Sequence, residues 1–145
     1  MRSFEMKRLI VALVTVFAIC LQAFAAAPAP TIPADIETAW EKQNSSTCQP
    51  TPEKKIEMVV YTQVAVDEPI LKVVVITTLN GERISVVNLK LFMGQIPLEA
   101  NSYVRKDSGW TFYDHESQEV ADQMIEHERK ELGITKEQYA KCFPQ

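Results

Sequence analysis

The middle of the chain alternates. From Ile56 to Val66 the apolar or β-branched residues fall on even positions, Ile56, Met58, Val60, Thr62, Val64 and Val66, while Glu57 and Gln63 lie on the other face. A period of two is that of a half-buried strand. Asp67-Glu68-Pro69 marks a turn, and Ile70–Leu79 (ILKVVVITTL) is apolar at nearly every position, which suits a central strand covered on both faces. Asn80-Gly81 is a strong hairpin signal, because a type I′ turn needs positive φ at both central residues. Arg83–Leu91 is then the return strand. Gly94 and Pro97 break the pattern, and a further strand pair is expected over Ser102–Arg105 and Trp110–Tyr113, around the turn Lys106-Asp107-Ser108-Gly109.

The flanks change period. Ile36, Ala39, Trp40 and Gln43 are spaced i, i+3, i+4, i+7, so a short amphipathic helix is predicted over 34–44 with Trp40 inward. Residues 44–52 read as a loop carrying Cys48, and Asn44-Ser45-Ser46 is formally a glycosylation sequon. Near the C-terminus Val120, Ala121, Met124, Ile125 and Leu132 make one helical stripe, with Gly133 placed to end it and Glu126 and Lys130 set to pair at i, i+4. Thr135 and Gln138 form a capping box that opens a second, shorter helix, and Ile134 can staple onto Tyr139. The expected fold is α+β: an N-terminal helix, an antiparallel meander of three to five strands, and two C-terminal helices on one face of the sheet.

Compartment follows from the first residues. Arg2, Lys7 and Arg8 precede an apolar run, Leu9–Leu21, and Ala23-Phe24-Ala25 supplies an A-x-A site. This is the layout of a secretory leader, residues 1–25, with cleavage after Ala25. The apolar run is short of the roughly 20 residues a membrane span needs. Residues 26–33 (AAPAPTIP) form a Pro/Ala spacer, and 34–145 a single domain. Cys20 leaves with the leader. The remaining pair, Cys48 and Cys142, is expected to form a disulfide in an oxidising compartment, periplasmic or extracellular.

Charge then narrows the partners. The chain has 15 Lys+Arg and 19 Asp+Glu; the leader removes three basic residues and one acidic one, leaving a mature balance of about −6. Such a surface argues against nucleic acid and against stable membrane association after cleavage, since both favour clustered Lys and Arg. Most of the acidic excess lies from Asp114 to the C-terminus, with eight acidic and four basic residues.

Catalytic equipment is sparse. His115 and Glu119 mimic the start of a zinc-protease motif, but the second histidine is missing and their phase places them on the solvent side of the helical stripe. There is no Gly-x-Ser-x-Gly elbow, no Gly-rich phosphate loop and no metal-ligand spacing, so neither cofactor nor metal is expected. Glu128 projects from the centre of the apolar stripe with His127 at its edge, which favours a structural ion pair over acid-base work.

The run Leu71–Gly109 resembles the middle of the invasion-associated locus B group of exported bacterial proteins, in its strand, Asn-Gly hairpin and Leu91-Phe92-Met93-Gly94 step. The resemblance stops at those residues, lacks that group's cysteine pattern, and carries no function across. The expected function is therefore non-catalytic binding by a small exported domain, with another envelope or extracellular protein as partner, a basic one suiting its acidic helix face. Its candidate contacts are the acidic helix face, Glu119, Asp122 and Glu126, and the aromatic strand residues Tyr103, Trp110 and Tyr113, although Trp110, Phe112, Tyr113 and Tyr103 suit a small core as well. Two alternatives are a carrier with a pocket between sheet and helices, lined by Val74, Ile76, Met124 and Ile125, and a hydrolase-like enzyme using His127 and Glu128.

Overall fold

A computed structural model describes residues 40–65 and 67–144. The leader, the spacer and most of the expected 34–44 helix lie outside the described residues. Six strands follow one another, β1 (Glu41–Thr51), β2 (Lys54–Val64), β3 (Ile70–Leu79), β4 (Glu82–Phe92), β5 (Ile96–Lys106) and β6 (Gly109–Asp114), and two helices close the chain, α1 (Gln118–Leu132) and α2 (Lys136–Cys142). The sheet is a single antiparallel meander in the order β1-β2-β3-β4-β5-β6. Short turns dictate this, since strands joined by a few residues can only run antiparallel.

Two expectations are corrected. The strand count is six rather than three to five, and no N-terminal helix occurs among the described residues: from Glu41 onward the segment is β1. The stretch NSSTCQP looks like a loop because it is polar and contains proline. An edge strand tolerates both, having a neighbour on one side only. Asn44, Ser46 and Cys48 pair with Val60, Met58 and Ile56. Beyond these two, β5 begins earlier than expected, at Ile96 rather than Ser102. Pro97 is accommodated because β6 pairs with β5 only from Asn101 onward, so the missing N–H faces no outer strand.

The hairpin at Asn80-Gly81 forms as expected, with φ of 50° and 86°. Asn80 does more than turn the chain. Its side-chain oxygen accepts from Lys55 N at 2.8 Å and its amide donates to Glu53 O at 2.9 Å, tying this turn to the β1–β2 turn.

Alternation along the strands creates two faces with different fates. One face is covered by the helices. Val60, Val73, Val75, Val87, Leu89, Leu91, Ala100 and Val104 pack there against Val120, Ala121 and Met124 of α1. A β-bulge in β4 enlarges this face. Thr77 pairs with Ser85 and Thr78 with Arg83, leaving Ile84 as the extra residue. A bulge sets two consecutive side chains to nearly one side. Ile84 is thereby buried with Ile56, Leu132 and Ile134, while Ser85 reaches Glu128 on α1.

The helix ends follow local rules. Ser117 caps α1 through Val120 N, and Gly133 ends it in the left-handed conformation. Lys54 Nζ donates to the carbonyls of Leu132 and Gly133 at 3.0 and 2.5 Å, placing a cation at the negative end of the helix. A Cβ on Gly133 would collide with that ammonium group. At α2 the capping box is complete: Gln138 N donates to Thr135 Oγ1 at 3.1 Å and Thr135 N to Gln138 Oε1 at 2.9 Å. Ile134 is buried in the cluster that includes Tyr139, as a staple requires. The Cys48–Cys142 disulfide joins β1 to the end of α2 across 94 residues, with Cα atoms 5.4 Å apart.

Candidate functional site: the open face of the sheet

The other sheet face has no helix over it among the described residues. Its centre is apolar: Val74, Ile76 and Val86 are buried, with Trp40 and Tyr61 packed against them. Around this centre the strands present aromatic and polar side chains. Lys72 faces Lys90, and Val74 faces Asn88, across β3 and β4. Asn88 faces Asn101, Lys90 faces Glu99 and Val86 faces Tyr103 across β4 and β5. Tyr103 faces Phe112 across β5 and β6, and Trp110 is paired with Arg105, whose guanidinium reaches Glu82 and Glu131 of α1 at 2.8 and 3.5 Å. The Tyr103 and Phe112 rings lie 5.1 Å apart. Tyr61, Tyr103, Trp110 and Phe112 all remain half-buried.

Two shallow clefts open on this face. One, of about 240 Å3, is bounded by Trp40, Tyr103, Lys72, Asn88, Asn101 and the Lys90–Glu99 pair. Its polar floor is chained together: Asn88 Nδ2 donates to Asn101 Oδ1 at 3.1 Å, Asn101 Nδ2 to Glu99 Oε1 at 3.4 Å, and Lys90 Nζ lies 2.9 Å from Glu99 Oε2. The other, of about 260 Å3, sits towards the Asn80-Gly81 turn between Tyr61, Ile76 and Arg83. At the far end of the sheet Val64, Met93, Ile96 and Leu98 are 51–69% exposed.

The sequence-derived contact residues therefore divide. Tyr103 and Trp110 stand on the open face. Tyr113 does not: it is buried on the covered face, its hydroxyl 2.7 Å from His127 Nδ1. Burial pushes its phenol pKa up. Glu119 and Asp122 are exposed on α1, where Gln118 Nε2 donates to Asp122 Oδ1 at 2.9 Å. Glu126 pairs with Arg129 at i, i+3, with nitrogens at 2.5 and 3.0 Å, rather than with Lys130. The acidic helix face and the two open-face aromatics thus lie on opposite sides of the molecule. Val74 and Ile76 likewise belong to the open face, whereas Met124 and Ile125 pack on the covered one, so those four residues do not line one pocket.

His127 and Glu128 point apart. Glu128 is 4% exposed. Its Oε2 accepts from Ser85 Oγ and its Oε1 from Tyr139 OH at 2.7 Å, so one carboxyl links α1 to β4 and α2. Desolvation raises its pKa, opposed by those two hydrogen bonds. The same burial, with the carboxylate beside it, raises the Tyr139 phenol far above its usual range. Desolvation lowers the pKa of His127, while Glu131 opposes the change. Both oxygens of Glu128 are occupied by protein hydroxyls, which is the geometry of a structural link.

His115 was expected on the solvent side of a helix and is instead 1% exposed. It precedes the helix cap, continues the inward parity of Thr111 and Tyr113, and donates its backbone N–H to Ala100 O at 3.1 Å. Its Nε2 lies 2.7 Å from the buried Ser102 hydroxyl, and its Nδ1 has no hydrogen-bond partner among the described residues. Desolvation lowers its pKa to about 4. The available signal was Ser117 as cap, which starts the helix at Gln118 and leaves residue 115 on strand parity. Ser85 and Ser102 carried no such signal; a serine in an alternating strand looks like any polar position.

Among the described residues no group of three or more metal-binding side chains occurs, and no helix is long and apolar enough to cross a membrane. Comparisons with protein-family models, with curated proteins and with solved structures find no match.

Proposed function

We propose that this chain is an exported, non-catalytic binding domain whose recognition surface is the open face of its sheet. One observation carries the reading: a face with a buried apolar centre keeps five large aromatic rings, Trp40, Tyr61, Tyr103, Trp110 and Phe112, half-exposed around it and has no covering element among the described residues. Apolar centre, aromatic surround and polar rim is the anatomy of recognition surfaces. Export is the setting because residues 1–25 have the layout of a secretory leader and the Cys48–Cys142 bridge suits an oxidising compartment. The other buried polar groups, Glu128 with Ser85 and Tyr139 and His115 with Ser102, serve the fold.

A second surface supports a different reading, in which a basic protein docks on α1. Glu119 and Asp122 are exposed near its N-terminal end and are joined on the same side by the half-exposed Glu126. Charge of this kind raises association rates at low salt. The two surfaces face opposite ways, so one experiment separates them. Partners cross-linked to the protein in the native envelope are compared for wild type, for Tyr103→Ala with Trp110→Ala, and for Glu119→Lys with Asp122→Lys and Glu126→Lys. Loss of a partner in the aromatic pair alone supports the open face. Loss only on charge reversal moves the site to α1, and retention in both removes both surfaces. Amino-terminal sequencing and thiol labelling of the same material test cleavage after Ala25 and the oxidised bridge.

A further inference from the structure

The cleft between Trp40 and Tyr103 has a chemical character of its own, and we infer that it binds a hydroxylated carboxylate of the size of one sugar ring, a uronate. The inference rests on the open face being the recognition surface and names what part of that face recognises. Lys72 and Lys90 are directly opposed across β3 and β4. Like charges so placed disfavour the pairing of their strands. Glu99 offsets one of them at 2.9 Å, and no ion-pair partner for Lys72 occurs among the described residues. The cleft is left one positive charge in excess, which a single carboxylate neutralises.

The remaining lining answers to hydroxyl groups and a ring. Asn88 and Asn101 lie side by side in a chain that runs to Glu99 and Lys90. Each amide has both donor and acceptor atoms and uses only part of that capacity within the chain. Vicinal hydroxyls, each a donor and an acceptor, are matched by such a pair. Trp40 and Tyr103 bound the cleft with aromatic surface, on which the C–H face of a pyranose buries apolar area that a compact inorganic anion lacks. The volume of about 240 Å3 is below that of a drug-sized pocket and fits one ring rather than several. A phosphate would satisfy the charge but leave the amides and rings unused. A neutral sugar would leave Lys72 uncompensated.

The test uses the disulfide-bonded protein, labelled with nitrogen-15, and follows the side-chain amide signals of Asn88 and Asn101 during titration with glucuronate, glucose, acetate and a tetragalacturonide. Glucuronate is expected to shift both amides, with glucose and acetate at least about tenfold weaker. Lys72→Met keeps the stem and removes the charge; with an unchanged melting temperature it should bind glucuronate about tenfold more weakly. A tetragalacturonide that binds more tightly than glucuronate identifies the source as an acidic polysaccharide, whereas equal affinity identifies a free sugar acid. The inference is overturned if neither uronate moves these amides, if glucose binds as well, or if Lys72→Met is without effect. Should the uronates fail while the aromatic pair still loses its cross-linked partner, the ligand class falls and the open-face reading stands.

Discussion

The same strands build two faces, and the contrast between them is instructive. On the covered face polar residues are buried along with the apolar ones. Ser85, Thr77, Ser102 and Thr111 are all at most 5% exposed, and Glu128 and His115 reach the first and third of these serine and threonine positions. On the open face the aliphatic centre is equally buried, yet the residues around it are rings, amides and lysines that stop short of filling the space. Burial of apolar area drives folding wherever a second layer exists to remove it from water. On the other face no second layer occurs among the described residues, so large rings and only partly used amides remain available, and that availability is what binding requires.

The comparison is sharpened most strongly in the core of the covered face. Leu132→Ala, at a side chain with no exposure, should cost about 2–5 kcal/mol in denaturant unfolding, whereas Tyr103→Ala on the open face should cost well under half of that. Equal losses would mean that the open face is core as well. Next comes the covalent link. Replacing Cys48 and Cys142 together by Ala should cost about 2–5 kcal/mol, since it releases a loop of 94 residues in the unfolded chain. The loss should be the same whether or not a ligand for the open face is present, because the bridge lies on the other side.

The pH dependence of stability separates two buried groups of the covered face. His115 is held neutral, with a pKa of about 4 against an ordinary value of 6.5. Below pH 6.5 the unfolded chain takes up a proton that the folded chain refuses, so stability falls as pH drops from 6.5 to 4, by about 3 kcal/mol in all. Glu128 acts in the opposite sense. Its raised pKa means that the folded chain holds a proton the unfolded chain has lost, so its contribution is full below the ordinary carboxyl range and fades as pH rises through the folded value. In wild type the two oppose each other. Glu128→Gln removes one of them, and its unfolding free energy should fall more steeply between pH 6.5 and 4 than that of wild type. At neutral pH the same variant should match or exceed wild type, while Glu128→Leu, which strands the hydroxyls of Ser85 and Tyr139, should lose about 1–3 kcal/mol for each.

The smallest effect is at a helix terminus. Thr135→Ala removes the hydroxyl that accepts from Gln138 N and should cost about 1 kcal/mol, measurable as a modest drop in melting temperature with no change in the open face.

Much of this was legible locally. Period-two alternation marked β2, a nearly continuous apolar run marked β3, Asn80-Gly81 marked the hairpin that returns as β4, and the Thr135 capping box and Gly133 marked the helix junction, because each depends on residues within a few positions of one another. β1 was not legible. Its polar sequence is acceptable only because it is an edge strand, and being an edge is a property of the sheet. The inward turn of His115 was half legible, hidden by starting the helix three residues early.

By itself, then, the sequence determined the alternation of β2, the turn at Asn80-Gly81, the capping of both helices and the pairing of Cys48 with Cys142, all of which rest on short-range sterics or simple counting. Only the tertiary structure decided which parity of each strand is covered, that Ile84 and Ser85 share a face through a bulge, and that Tyr103 and Trp110 are separated from Tyr113. The reason is that a strand offers its two faces almost equally, and the choice between them is made by where the helices land.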